Sequence, residues 1–101
     1  MNVWESTDDT PNVDKGNFYS TNNKKATKIT AIEKGTEGQQ ITILILDNLT
    51  TLQHGGAQKN DDLTLSQASN WLGAAGDTIT LIYTGKFWYE TGRSDNTKSG
   101  K

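Results

Sequence analysis

His54 is the only imidazole in a chain of 101 residues that contains no cysteine. Acting as a general base, it would need a nucleophile within reach and a third group to orient its ring. Ser66, Ser69, Asp61 and Asp62 lie downstream, but no spacing ties any of them to His54. Its neighbours Gly55 and Gly56 mark it as a turn residue. The acidic candidates are Glu33, Glu37, Asp47, Asp61, Asp62, Asp77 and Glu90. Glycoside hydrolysis would use two of them about 5–9 Å apart across a scissile bond. They fall at turns and strand ends, where acidic residues sit for solvation alone. Asn60-Asp61-Asp62 lacks the alternating ligands of a calcium loop and reads as a solvated turn. The glycine segments carry neither the phosphate-loop nor the dinucleotide pattern. The chain thus points to no catalytic residue, no metal and no cofactor.

Aromatic rings are the other chemistry-bearing groups. In Phe87-Trp88-Tyr89, strand alternation sets Trp88 on the face opposite its two neighbours. A ring so placed packs in a core, closes a subunit interface or offers a sugar platform. Trp71 and Trp88 are the candidate carbohydrate contacts, and the interface is the preferred role for Trp88. Trp4 stands in a polar lead, where it either meets a neighbouring chain or anchors the lead on its own core.

The elements that must position these residues are short strands. Ile41-Thr42-Ile43-Leu44-Ile45-Leu46 is the clearest. Ile41, Ile43 and Ile45 share one face, and Leu44 and Leu46 share the other with Thr42. Apolar residues on both faces call for cover on both. Ile41, Ile43, Leu44, Ile45, Leu46 and Trp88 are therefore the expected interface set. Residues 77–84 alternate, and Thr84-Gly85-Lys86 turns them into 87–91 as a hairpin. Residues 16–21, 26–32, 49–53 and 63–65 read as further strands, and 66–71 as a short helical turn. Gly35 and Gly38 suit a turn that needs positive φ. Two turn-then-strand units, GTEGQQITILILD and GAAGDTITLIYTGKFWYE, resemble each other without a fixed repeat period. The fold class is all-β, as a β-roll or a β-helix-like or jelly-roll-like module. Its expected organisation is a polar lead over 1–15 linking to an upstream domain, one module over 16–92, and a flexible tail over 93–101.

Composition narrows the setting. Apolar residues make up 32% of the chain and disulfides are excluded, so stability must come from packing or from oligomerisation. Ten basic and twelve acidic residues give a net charge of -2. Lys15, Lys24, Lys25 and Lys28 form the one basic cluster, too small for a nucleic-acid stripe. No apolar run approaches the roughly 20 residues of a membrane span, and MNVWESTDD has neither the basic leader nor the apolar centre of a secretion signal.

A resemblance runs through the chain from Asn12 to Ser94. Its residues are NFYSTN (17–22), TKIT (27–30), GTEGQQITIL (35–44), LTL (63–65), AGDTITLIY (75–83) and WYETGRS (88–94). In this order they resemble the C-terminal module of bacteriophage tail-spike, tail-fibre and pre-neck appendage proteins. That resemblance implies a homotrimer that follows a larger parallel β-helix and locks three chains together on the virion tail. It implies assembly in the host cytoplasm and a role in attachment to host-cell polysaccharide. The alternatives are a module that itself binds that polysaccharide, and a fragment of a tail enzyme that degrades it. The long β-helix that carries lyase or hydrolase activity in such proteins has no counterpart here, so no enzyme activity is expected. Ser94-Asp95 matches the cleavage dipeptide of a self-cleaving tail chaperone in name only.

Overall fold

The alternation of isoleucine with threonine decides the architecture, because it suits a pleated strand with one buried side. The computed structural model describes residues 2–5 and 8–96, with only the backbone at Glu5. Among the described residues nine strands form: β1 (Asn2–Glu5), β2 (Phe18–Asn22), β3 (Thr27–Ile29), β4 (Gln40–Leu44), β5 (Thr50–Leu52), β6 (Leu63–Thr64), β7 (Trp71–Gly73), β8 (Thr78–Tyr83) and β9 (Trp88–Ser94). One 3-10 turn, Ser66–Ala68, joins them, and the described residues contain no α-helix. The all-β expectation holds.

Six strands make one sheet in the order β1-β2-β4-β8-β9-β6, and three make a second in the order β3-β5-β7. From β2 to β5 the chain alternates between the two sheets. Successive passes pair in parallel: β1 with β2, β2 with β4, and β3 with β5. Residues in register across these pairs are Asn2 and Tyr19, Tyr19 and Ile43, and Thr27 and Thr50. Each pass of the chain thus lands beside the previous one. A third line of contact runs between 9–13 and 30–33, where Thr30 N–H donates to the Asp9 carbonyl at 2.9 Å and Val13 N–H to that of Glu33 at 3.0 Å. The progression ends when β8 runs antiparallel to β4 and β9 antiparallel to β8.

The core lies between the sheets. Ile41, Ile43 and Ile45 are fully buried there with Ile29, Ile32, Leu52, Ile79 and Leu81. Leu44 is half-buried and Leu46 is 55% exposed. The two-face division read from the sequence is therefore right, but one chain alone encloses the isoleucine face. Ile41, Ile43 and Ile45 are core residues of a single chain, not interface residues.

The polar lead is part of the fold over its described residues. β1 pairs with β2, Trp4 stacks on Tyr19 with ring centroids 4.9 Å apart, and Val13 is buried. Of the two roles left open for Trp4, anchoring its own core is the one observed. The sheet likewise continues past residue 92 to Ser94, and Asn96 N–H donates to the Asp77 carboxylate at 2.9 Å. The last five positions of the expected tail, 97–101, lie outside the described residues, as do Met1, Ser6 and Thr7 of the lead.

The β8–β9 hairpin forms as expected, around Gly85 at φ 99°. Its facing differs. Tyr83 sits directly opposite Trp88, and Ile82 opposite Tyr89. Directly opposed residues share a face, so Trp88 joins Tyr83 and Leu81 inside. Alternation counted straight through the turn misplaces it, because the Thr84–Phe87 connection resets which residues face each other.

Candidate functional site

His54, Asp47, Asp61, Asp62, Asp77 and Glu90 each have a hydrogen-bond partner within the chain. His54 is half-buried, and its Nδ1 accepts the Leu65 N–H at 2.9 Å. The Ser66 N–H goes to Glu90 at 2.8 Å. Among the described residues, no hydroxyl or carboxylate hydrogen-bonds to the imidazole.

The carboxylates hold turns together. Asp62, expected in a solvated turn, is buried and accepts the N–H groups of Ala57, Gln58 and Lys59 at 3.0–3.1 Å. Asp61 accepts the Tyr83 hydroxyl at 2.5 Å, and this bond, with burial, pushes the phenol up to about 12. Burial pushes the Asp47 carboxyl up. The N–H groups of Asn23 and Leu49 and the hydroxyls of Thr21 and Thr50 outweigh it and hold the group below its ordinary value. Asp77 accepts the Ala74 and Asn96 N–H groups, both at 2.9 Å. Among the described residues, no three of His, Asp and Glu gather as a metal site.

Neither candidate sugar platform is open. Trp88 is fully enclosed, its ring 4.7 Å from that of Tyr83 and its Nε1–H donating to the Ile32 carbonyl at 2.9 Å. Gly35 makes room for it, since a Cβ there would stand 2.6 Å from the indole. Trp88 is thus neither a subunit contact nor a carbohydrate contact. Trp71 is 8% exposed, and the Arg93 guanidinium lies over its ring at 5.3 Å. Glu90 fixes that guanidinium at 2.7 and 2.8 Å, and Arg93 in turn holds the Glu90 carboxyl below its ordinary value. Arg93 falls in the stretch expected to be a loose tail, and only its spacing of three from Glu90 hints at this role.

Two surfaces remain. The first is the outward face of the large sheet. One row across it runs Val3, Ser20, Leu44, Thr78; the next runs Phe18, Thr42, Thr80; a third runs Gln40, Ile82, Tyr89, Thr64. None of these side chains is charged. Val3, Phe18 and Tyr89 are 49%, 47% and 37% exposed, and the Thr64 hydroxyl is buried without a partner. The second surface is a cleft of about 400 Å³ between Thr30–Ala31, Gln53–Gly55 and the loop from Gln58 to Asp62. Sequence reasoning missed Val3, Phe18, Ile82 and Tyr89 as one surface, although alternation from the buried Tyr19 and Leu81 would have found most of them.

No protein-family model matches this chain, and neither a curated protein nor a solved structure proved similar to it. No helix among the described residues is long and apolar enough to cross a membrane.

Proposed function

We propose that this chain is a non-enzymatic structural module that trimerises and stabilises a phage tail-spike or appendage protein used in host-cell attachment. The observation that carries the reading is the outward face of the six-stranded sheet. It is free of charge over three rows and exposes Val3, Phe18 and Tyr89, with Leu44 and Ile82 half-buried between them. A broad uncharged face with aromatic residues is the composition of an interface centre. The occupant is a second and third copy of the same face. The interface set then becomes Val3, Phe18, Leu44, Ile82 and Tyr89, with Leu46 just beyond β4.

The parallel passes support a β-helix-like arrangement. β1 and β3 are edge strands at the end where earlier passes would stack, while the antiparallel β8–β9 hairpin terminates the other end. An upstream β-helix of a parent protein would add its last pass along β1 and β3, since unpaired strand edges recruit further strands. In this reading the module ends a solenoid and ties three of them together on the virion tail.

Phe18→Lys combined with Ile82→Lys tests it. Both side chains face outward, so the fold should keep its circular dichroism spectrum while the assembly falls to single chains. Leu72→Lys, at the most exposed large apolar residue on the other sheet (67%), serves as the control and should leave the mass unchanged. An assembly that survives the double change would count against this face.

A further inference from the structure

We propose that the cleft between the Gln58–Asp62 loop and Thr30, Ala31 and Gln53 binds a neutral hexose unit of a glycan. The loop is held rigid by its own chain. The Asp62 carboxylate takes three successive backbone N–H groups, from Ala57, Gln58 and Lys59. Asp61 N–H donates to the Lys86 carbonyl at 2.7 Å, and Trp88 N–H to that of Asp62 at 3.0 Å. Ala57 holds positive φ at 61°, a conformation uncommon for a residue bearing a Cβ, and Asp61 holds it at 71°, as aspartate more readily does. Gly55 has no room for a Cβ, because the Asp62 side chain fills that place.

What this loop presents is unspent hydrogen-bonding capacity. The side-chain amides of Gln53, Gln58 and Asn60 line the cleft, and none has a partner within the described chain. A carboxamide donates and accepts in one plane, which matches the neighbouring hydroxyls of a pyranose. The Lys59 ammonium adds a donor, the Thr30 hydroxyl oxygen, whose proton goes to the Asp9 carbonyl at 3.3 Å, adds an acceptor, and the Asp62 Oδ1, with one N–H bound, keeps acceptor capacity. Ala31 supplies a small apolar wall for ring C–H groups. The cleft volume of about 400 Å³ falls within the range of small-molecule sites. Its two charged lining residues, Lys59 and Asp62, cancel, which disfavours phosphate or polyanion. The absence of an aromatic ring among the lining residues disfavours a flat apolar ligand.

The test is a nitrogen-15 NMR titration of the whole chain with the methyl glycosides of glucose, galactose and mannose at millimolar concentrations. At least one should move the side-chain amide signals of Gln53, Gln58 and Asn60 along a saturable curve. Gln58→Ala combined with Asn60→Ala should weaken that binding at least tenfold while the rest of the spectrum is unchanged. Both side chains are exposed and unbonded within the chain, so the fold does not depend on them. If none of the three sugars moves these signals, the proposal is wrong. It is equally wrong if the curve persists in the double variant, or if the shifts map to Trp71 and Tyr89. None of these outcomes depends on the oligomeric state.

Discussion

Replacing Trp88 separates the two roles an aromatic residue can have in this fold. It is fully buried within one chain, packs with its ring tilted 34° against that of Tyr83 at 4.7 Å, and donates its Nε1–H to the Ile32 carbonyl at 2.9 Å. Trp88→Ala removes the ring and should cost about 3–5 kcal/mol, as buried aromatic truncations do. A small domain has only about 5–15 kcal/mol in total, so this variant loses a large share of its stability. Trp88→Phe is the finer probe. It keeps an aromatic ring but strands the Ile32 carbonyl, at about 1–3 kcal/mol. Urea unfolding followed by circular dichroism at two protein concentrations measures both variants against the parent. At each concentration the deficit of a variant should be the same, because the contact lies within the chain. A Trp88→Phe protein as stable as the parent, or a deficit that grows on dilution, would refute the argument.

Further outcomes follow from the same contacts. Gly35→Ala places a methyl group 2.6 Å from the Trp88 ring and should cost about 1–3 kcal/mol of overpacking, read as a lower urea midpoint. Asp62→Ala strands three loop N–H groups and should cost at least about 2 kcal/mol. Amide exchange at Ala57, Gln58 and Lys59 should accelerate even where the core stays protected. At alkaline pH the Tyr83 phenol, near 10 when unfolded and about 12 when folded, contributes stability that is whole below pH 10 and lost as pH rises to 12. Tyr19 is shifted in the same direction, so the readout is the difference between the parent and Tyr83→Phe, which should shrink across that window.

The sequence carried some of this and not the rest, for physical reasons. Period-two alternation put Ile41, Ile43 and Ile45 on one face because every buried position of β4 is isoleucine. Gly85 gave away the hairpin. The facing of Trp88 was hidden because the number of residues in a turn, not strand alternation, sets which residues oppose each other across it. Asp62 looked solvated because its partners are backbone amides, which no side-chain spacing reveals. The parallel passes were illegible for a related reason. Asn2, Tyr19 and Ile43 stand in register across β1, β2 and β4, but the connections between them differ in length, so no constant period marks the stacking. The covered face of Trp71 depends on Arg93, a residue that composition assigned to a polar tail.

The account stands or falls on whether three chains join through the outward face of the large sheet. Sedimentation equilibrium of the unaltered chain at micromolar concentration measures this directly. The expected result is a single species of three times the 11.1 kDa chain mass. A single species of 11.1 kDa under those conditions would contradict it.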